Sequence, residues 1–485
     1  MADSEAPQPE RTRTPDSSVF KEFMASQWAP HTTATPSVTS MAKQAATRRD
    51  KLVTAFPGDT LIIPAGSPKQ RSNDTDYPYR PHTAFTYLTG WGSDTVPGSV
   101  LVLSDAHPAT LYVLGPAGRD TDEFYANAAI GEFWTGPRPS LDDVSALLGI
   151  AVTSRHDIPE TGSFDSPVRI IREADDDLTR ELDSSRGEAG VESDLELARE
   201  VSEMRLVKDE HEIFELREAV LSTHRGFTDI LTSLPRAVGH ERGERIIESA
   251  FYSRARAEGN DVGYGTIAAS GAHACILHWV TNDGPVQPGD LLLVDAGVER
   301  NSLYTADITR TIPVSGHFSD IQRNVYEAVL AAADRAIAHI RPGVTFRSVH
   351  DQAMVAISEA LEGWGFLPVS AEESRQPDNG YHRRYMIHGT SHHLGLDVHD
   401  CAEARREMYM DGVLAPGMVF TVEPGLYFQP DDLTVPEEWR GIGVRIEDNI
   451  LVTDTGSVNL SADIPRTVDA VEAWWADVVG ETPTN

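Results

Sequence analysis

The chain has 485 residues, of which 40% are apolar and 24% charged, and both fractions are ordinary for a globular protein. Its 41 lysines and arginines against 75 aspartates and glutamates give a net charge of −34. This nearly excludes nucleic acid as the main ligand and disfavours an anionic membrane surface, because both are bound through clustered basic residues.

The N-terminal region, residues 1–38, is rich in proline, serine, threonine and charge, and it predicts a flexible arm with one short helix around residues 19–24. It lacks the apolar core of a secretion signal, and no stretch of the chain approaches the roughly 18 apolar residues of a spanning helix. Two cysteines, Cys275 and Cys401, are too few for a disulfide framework. We therefore expect a cytoplasmic protein without membrane contact.

Residues 39–171 show short apolar runs, separated by turn residues and helical patterns, which predict an α/β N-terminal domain. Residues 172–203 carry twelve acids and four arginines and are predicted to form a solvated acidic linker. Residues 204–485 form the third region. Its helical spacings (208–232, 240–258, 319–340, 348–363) are interspersed with strand-like runs (264–269, 291–295, 306–314, 418–423, 443–453). This order predicts an antiparallel α+β domain.

Familiar catalytic motifs are incomplete in this chain. Gly263-Tyr264-Gly265 lacks the rest of a dinucleotide-binding loop, and His211-Glu212 has Glu215 where a zinc-binding helix needs a second histidine. There is no phosphate-binding loop and no strand-to-helix serine elbow. Nucleophilic serine or cysteine chemistry therefore has no support.

Carboxylates instead stand at the ends of apolar strands. Asp295 ends the run 291–294, and Asp307 follows twelve residues later, so a hairpin would bring the two together. Glu423 ends the run 419–422, and Glu447 lies two residues after Arg445, on the same face of the predicted strand. A single acid at a strand end is usually a cap or a surface residue, but several converging on an interior need cations or protons.

A dense histidine cluster, with His388, His392, His393 and His399, lies between these strands. Four carboxylates and one imidazole suit hard or borderline divalent ions such as Mn²⁺, Co²⁺ or Zn²⁺. Two divalent ions balance four carboxylates, and a bridging hydroxide would leave the cluster nearly neutral, so we expect a dinuclear centre.

These residues resemble the pita-bread metallopeptidases, most closely the bacterial Xaa-Pro aminopeptidase (aminopeptidase P) type. Four fragments carry the resemblance: Gly271-Ala-His-Ala-Cys-Ile-Leu-His278, the segment from His388 to Asp400, Glu423-Pro-Gly-Leu-Tyr427, and the segment from Val435 to Asp448. In the first domain the best fragment is residues 84–91. The resemblance implies a creatinase-like N-terminal domain, a pita-bread catalytic domain, a dinuclear centre that usually holds manganese, and a dimer or tetramer.

The resemblance also implies roles for single residues. Asp295 would chelate one ion, His392 and Glu423 the other, and Asp307 and Glu447 would bridge them. His278, His388 and His399 would bind substrate and steady the scissile carbonyl, while Arg445 and Tyr427 would line the proline side of the cleft. Arg445 could instead only orient Glu447, and His278 could be a packed structural histidine.

The implied reaction is hydrolysis of the bond between an N-terminal residue and a penultimate proline. A metal-bound hydroxide would attack, and Glu423 would transfer protons. Two departures from the family pattern stand out: the spacing from Asp295 to Asp307 is one residue longer, and His393 replaces an aromatic residue. The spacing from Gly389 favours His392 over His393 as the ligand.

Two other functions compete. A prolidase would share the centre but accept only dipeptides. A metal-free pita-bread binding module, as in a histone chaperone, would suit the acidic charge, but the five intact ligands disfavour it.

Overall fold

The computed structural model describes residues 14–29, 36–73, 75–159, 166–187 and 189–480. The chain divides into two compact units, Met1–Ala198 and Arg199–Asn485. The predicted flexibility of the arm at residues 1–13 and 30–35 lies outside the described residues.

The helices of the first unit, the last of which continues into the second, are α1 (Ser18–Ala25), α2 (Ser40–Ala55), α3 (Thr83–Thr89), α4 (Asp122–Tyr125), α5 (Glu132–Thr135), α6 (Leu141–Leu148), α7 (Asp176–Arg186) and α8 (Ala189–Met204). Its strands are β1 (Thr60–Pro64), β2 (Gln70–Ser72), β3 (Thr75–Asp76), β4 (Val100–Leu103), β5 (Thr110–Val113), β6 (Ala151–Ser154) and β7 (Val168–Ile170). Helix α1 confirms the short helix predicted in the arm.

A five-stranded sheet in the order β6-β5-β4-β1-β7 forms the centre of the first unit. Its inner pairs are antiparallel, whereas β6 and β7 join its edges in parallel. Strand β1 is buried along its whole length because the apolar run Leu61, Ile62 and Ile63 packs inside the unit. The predicted α/β character is confirmed.

The acidic segment 172–203, predicted as a solvated linker, is largely helical in the structure. Asp175 caps the N-terminus of α7, and its side chain accepts hydrogen bonds from two backbone N–H groups of the first turn. Leu178 and Leu182, four residues apart on one helix face, pack into a core cluster with Ile62 of β1. The acidic residues account for the exposed side of the segment. The spacing of the two leucines accounts for the buried side, which the linker prediction did not include.

The helices of the second unit are α9 (Glu210–Ala237), α10 (Gly243–Glu258), α11 (Asp320–His339), α12 (Phe346–Gly363), α13 (Ala371–Ser374) and α14 (Val468–Val479). Its strands are β8 (Asp261–Val262), β9 (Ile267–Ser270), β10 (Leu291–Ala296), β11 (Val298–Glu299), β12 (Ile308–Pro313), β13 (Val419–Val422), β14 (Gly425–Tyr427), β15 (Gly443–Arg445), β16 (Asp448–Val452) and β17 (Ser457–Asn459).

Small antiparallel sheets make up the second unit: β12-β10-β9, β13-β16-β17, β14-β15 and β11-β8. Helices α9 and α10 pack together, as do α11 and α12, and their apolar faces and the strands share one core. The predicted antiparallel α+β domain is confirmed.

The strand predicted over residues 443–453 is interrupted. Strand β15 pairs with β14, whereas β16 pairs with β13, so the chain changes partners at Ile446 and Glu447. The prediction that Arg445 and Glu447 share one face of a continuous strand is therefore wrong. Two short ladders with different partners cannot be told from one long strand by apolar pattern alone.

Candidate metal centre and active site

A cavity of about 540 Å³ in the second unit collects nine of the ten predicted site residues, and the tenth, Tyr427, contacts two of them. Its polar and charged lining comprises Tyr264, His278, Asp295, Asp307, His388, Ser391, His392, His399, Glu423, Arg445 and Glu447. The rest of its wall is glycine and aliphatic, with Ile267, Leu277, Val280 and Val398.

The two aspartates meet as expected. Strands β10 and β12 pair antiparallel with Asp295 opposite Thr309, and Asp307 directly precedes β12. The hydroxyl of Tyr264 lies 2.6 Å from Oδ1 of Asp295 and 2.5 Å from Oδ1 of Asp307. One phenol therefore joins both carboxylates.

Tyr264 was missed by sequence reasoning, which set Gly263-Tyr264-Gly265 aside as an incomplete loop motif. The sequence feature that could have identified Tyr264 is the preceding residue, Gly263. A Cβ at position 263 would lie 1.9 Å from Oγ1 of Thr305, so only glycine lets the chain pass there and bring the tyrosine to the carboxylates.

His392 joins the acids from the other side. Its Nε2 lies 3.2 Å from Oδ2 of Asp307 and 3.6 Å from Oε1 of Glu423. Its Nδ1 lies 3.1 Å from the carbonyl oxygen of His393, which can only accept a hydrogen bond. Nδ1 therefore carries a hydrogen, and a neutral ring turns the lone pair of Nε2 towards the acids, as a metal-binding histidine requires.

Burial and mutual repulsion dominate the electrostatics of this cluster. Burial raises the pKa of Glu423 to about 7, and burial together with neighbouring carboxylates raises the pKa of Asp307 and Glu447. Although burial favours a neutral His392, Asp307 and Glu423 raise its pKa to about 9. In the absence of metal ions, these side chains therefore bind protons more tightly than they would in water.

The donor set fits divalent metal. One ligand atom each of Asp307, His392 and Glu447 lies within 4.8 Å of the others, and all three residues face the cavity. Carboxylate oxygens with one imidazole nitrogen suit hard or borderline ions. Asp295 and Glu423 line the same cavity beside them.

Arg445 is buried beneath the cluster and donates to three groups: Oδ2 of Asp295 at 2.6 Å, the hydroxyl of Tyr427 at 3.1 Å and Oγ1 of Thr309 at 3.1 Å. Thr309 in turn donates to Oε2 of Glu447 at 2.7 Å. Arg445 thus holds Asp295 directly and reaches Glu447 through a threonine. Neither role foreseen for it, proline contact or direct orientation of Glu447, included this ion pair.

Three further histidines line the cavity beside the acids. Nδ1 of His388 lies 2.6 Å from the carbonyl oxygen of Gly389, and its Nε2 lies 2.7 Å from the hydroxyl of Tyr427. Burial, then the charge of Arg445, lower the pKa of His388 to about 3. The ring of His399 contacts that of His392 with centroids 4.4 Å apart, and burial lowers the pKa of His399 as well. His278 is exposed at the cavity, which argues against a packed structural role.

His393 points away from the cavity. Its ring is buried and stacks on Phe346, with centroids 4.8 Å apart. Because successive side chains of an extended segment face opposite sides, only one of the two adjacent histidines can reach the acids. The structure places His392 in the cavity, which supports the choice made from the glycine spacing.

A buried ionic cluster lies on the chain just beyond His399. Oδ2 of Asp400 lies 3.1 Å from Nζ of Lys208, and its Oδ1 lies 3.1 Å from Nε of Arg205. Asp400 also donates its backbone N–H to the carbonyl of His393. A Cβ at Gly395 would lie 2.3 Å from Oδ2 of Asp400, so the histidine segment closes tightly over this cluster.

Comparisons with known proteins agree with this geometry. The family model described as Metallopeptidase family M24 matches residues 215–454, and that described as Aminopeptidase P, N-terminal domain, matches residues 45–162. The chain is 49% identical over 465 residues to Xaa-Pro aminopeptidase 1 of Streptomyces coelicolor, covering 95% of this chain and 92% of that protein. The chain belongs to metallopeptidase family M24.

Other members of the M24 family are similar along nearly their full length. The Xaa-Pro aminopeptidase of Escherichia coli is 33% identical over 450 residues, which is 88% of this chain and 96% of that protein. The structure of a Pseudomonas aeruginosa aminopeptidase superposes with a TM-score of 0.78 at 30% identity, covering 91% and 99% of the two chains. The structure of Escherichia coli aminopeptidase P with the inhibitor Pro-Leu superposes with a TM-score of 0.76 at 31% identity, covering 92% of this chain and 100% of that chain. An aminopeptidase P-type N-terminal domain followed by an M24 pita-bread domain is confirmed.

Proposed function

We propose that this protein is a metal-dependent Xaa-Pro aminopeptidase, which hydrolyses the bond between an N-terminal residue and a penultimate proline. The observation that carries the proposal is the convergence of four carboxylates and one imidazole in a single cavity whose wall also holds three further histidines. The M24 relatives named Xaa-Pro aminopeptidases support it.

The proposed ligand assignment is the one that the family resemblance implies. Asp295 would hold one ion, His392 and Glu423 would hold the other, and Asp307 and Glu447 would be shared. When bound, such ions ionise water near neutral pH and polarise a carbonyl oxygen. Arg445 aligns Asp295 through their 2.6 Å contact.

Glu423 is the proposed proton carrier. A carboxylate at the edge of the reacting centre can accept a proton at one step and give it up at the next. The nitrogen of proline leaves as a secondary amine and must be protonated, which a carboxylic acid in the cavity can do. His388 lies beside that carboxyl group, with its Nδ1 3.8 Å from Oε2 of Glu423.

The substrate bond is a tertiary amide with no N–H, so the substrate cannot be held there by strand pairing. Recognition must come from shape and from contacts to the carbonyl. The aliphatic wall formed by Ile267, Leu277, Val280 and Val398 offers apolar contact. His278 and His399, which line the same cavity, are proposed to bind the scissile carbonyl oxygen.

We further propose Mn²⁺ as the metal, because oxygen donors outnumber nitrogen and no thiolate lines the cavity. Both cysteines are buried and unbonded to each other, which supports the proposal of a reducing, cytoplasmic setting. Within the described residues, no helix is long and apolar enough to cross a membrane. The dimer or tetramer remains a prediction.

The proposed function is tested by removing metal with a chelator, adding Mn²⁺ back, and following release of the first residue from Xaa-Pro-Xaa tripeptides. We expect activity to vanish on chelation and to return with Mn²⁺. Turnover without metal would contradict the dinuclear proposal. Cleavage of Gly-Pro but of no tripeptide would identify a prolidase, and a protein that neither binds Mn²⁺ nor cleaves either peptide would favour a binding module.

The two adjacent histidines can be separated by matched substitutions. His393→Phe is expected to keep metal content and activity within about threefold, because phenylalanine can fill the aromatic stack on Phe346. His392→Phe is expected to lose at least about a hundredfold in activity, since it removes the imidazole nitrogen that lies 3.2 Å from Oδ2 of Asp307. Metal content by elemental analysis and kcat/KM are measured for both. The reverse pattern would assign the ligand to His393.

Metal and protons compete for this cluster. In the metal-free protein the pKa of Glu423 rises from 4.5 to about 7 and that of His392 from 6.5 to about 9, so both bind protons more tightly when folded. A raised folded-state pKa stabilises the fold at low pH and this stability is lost as pH rises through the folded value. The gain in melting temperature on adding Mn²⁺ is therefore expected to grow between about pH 6 and about pH 8.5. A gain that is constant or shrinks over this range would contradict the prediction.

A further inference from the structure

Glu244, in the first turn of α10, is a buried carboxylate that lies outside the cavity. Its side chain accepts four hydrogen bonds. Oε1 accepts from the backbone N–H of Ser270 at 2.8 Å and lies 2.8 Å from Nδ1 of His273. Oε2 accepts from Nε1 of Trp279 at 2.8 Å and from the backbone N–H of Gly284 at 2.7 Å.

All four partners lie on, or directly before, the segment that carries His278. We call residues 271–284 the His278 loop; Ser270 precedes it at the end of β9, and Gly284 is its last residue. Trp279 directly follows His278 in the chain, and its ring stacks on that of His273 with centroids 3.9 Å apart. One carboxylate thus ties the start, the middle and the end of this loop together.

The backbone of the His278 loop packs closely against the carboxylate of Glu244 at Gly284. A Cβ at Gly284 would lie 2.6 Å from the ring of His273 and 2.8 Å from Oε2 of Glu244, so position 284 requires glycine. Asn282 adds a second anchor, since its side chain accepts from the N–H of Ala268 at 2.9 Å and donates to the carbonyl of Thr266 at 2.8 Å. The backbone around His278 is therefore held from both sides.

His278 itself depends on that backbone. Within the described residues its side chain makes no hydrogen bond or ion pair to another residue, and it is exposed at the cavity. With no partner of its own, the imidazole is placed by the residues around it. Among these, the indole of Trp279 is fixed by Glu244 through both its N–H and the stacked ring of His273.

We infer that Glu244 is a positioning residue for the reaction, which places His278 against the substrate carbonyl by holding the His278 loop on the N-terminus of α10. The inference rests on the proposed aminopeptidase function. A carboxylate suits this task because each oxygen accepts from two donors, and the first turn of a helix favours negative charge. Displacing a reacting group by about 1 Å can cost about a hundredfold in rate.

The inference is tested with Glu244→Gln, which keeps the size of the side chain. Whichever way the amide turns, its NH₂ group must face two of the four donors, so the loop has to shift. We expect kcat/KM on an Xaa-Pro-Xaa tripeptide to fall about tenfold to about a hundredfold, with metal content unchanged. Glu248→Gln, one turn along the same helix, is the matched control and is expected to change nothing.

A double-mutant cycle separates positioning from general destabilisation. If Glu244 acts through His278, then Glu244→Gln in a His278→Ala background costs less than about twofold. Equal fold-losses in both backgrounds would overturn the inference, because they would show that Glu244 acts elsewhere. Should Glu244→Gln fail to fold, Trp279→Phe removes one of the four donors and keeps the aromatic ring, and it is expected to show the same coupling to His278 on a smaller scale.

A readout that needs no turnover keeps this inference distinct from the proposed function. In histidine-ring NMR spectra, the His278 resonance is assigned by its loss in His278→Ala. It is expected to move in Glu244→Gln and to stay in place in Glu248→Gln. An unmoved resonance overturns the positioning role even in an active enzyme. A moved resonance in a protein that cleaves no Xaa-Pro peptide retains the loop contact and refutes the proposed function.

Discussion

Asp307→Asn is expected to lower kcat/KM on Xaa-Pro-Xaa tripeptides by about a thousandfold, equivalent to about 4 kcal/mol of transition-state stabilisation. Asp307 contacts both halves of the cluster, since its Oδ1 meets the hydroxyl of Tyr264 and its Oδ2 lies 3.2 Å from Nε2 of His392. An amide keeps the shape but removes the negative charge that holds a shared cation. Loss of this one group should therefore lower the occupancy of both metal positions.

Asp454→Asn serves as the control, because Asp454 is an exposed aspartate in the turn between β16 and β17. It is expected to keep full activity and metal content. Elemental analysis of metal per chain accompanies the kinetics, and the melting temperature of the metal-free protein is compared. Full activity in Asp307→Asn would refute the shared-ligand assignment, whereas low activity with unchanged metal content would move Asp307 from metal binding to substrate contact.

Asp400→Asn is expected to destabilise the fold by about 3–5 kcal/mol. Asp400 is buried between Lys208, whose side chain has no exposed surface, and Arg205, and its carboxylate lies 3.1 Å from a nitrogen of each. Asparagine would remove the carboxylate partner of the fully buried Lys208, whereas Arg205 also lies 3.7 Å from Oδ2 of Asp397. The change in free energy of unfolding is measured by comparing urea or guanidinium unfolding curves of the variant and the unmodified protein.

Asp411→Asn is the matched control on the surface. Asp411 pairs with Arg406 and Arg347, but all three side chains are more than a third exposed, so the expected loss is below about 1 kcal/mol. Because the loss at Asp400 comes from unpaired charge, adding Lys208→Met to Asp400→Asn should cost less than the two single losses added. Strict additivity, or a loss at Asp400 no larger than that at Asp411, would contradict this account.

Local sequence pattern predicted much of this protein. The helix predicted over 240–258 runs from Gly243 to Glu258, and that predicted over 319–340 runs from Asp320 to His339, because apolar spacing and capping residues act within a few positions of the chain. The candidate acids were found for the same reason. Each stands next to an apolar strand, and such a strand must be buried, so its end delivers a carboxylate to the interior.

Contacts between distant segments could not be predicted in this way. Tyr264 reaches Asp295 and Asp307 only because β9, β10 and β12 form one sheet. Thr309 links Arg445 to Glu447 across 136 and 138 positions of sequence. The interruption between β15 and β16 likewise depends on which strands pair with them.

Sequence pattern alone identified the candidate groups for the proposed chemistry, namely the acids at strand ends and the histidines, and its excess of negative charge argues against a nucleic-acid ligand. How these groups are held became visible only in the folded chain. The tertiary structure showed which adjacent histidine faces the acids, which buried arginine and lysine compensate Asp295 and Asp400, and that Glu244 lies under the loop of His278. Local periodicity encodes burial and secondary structure, whereas the partners of a buried charge are set by chain topology and need not lie near it in sequence.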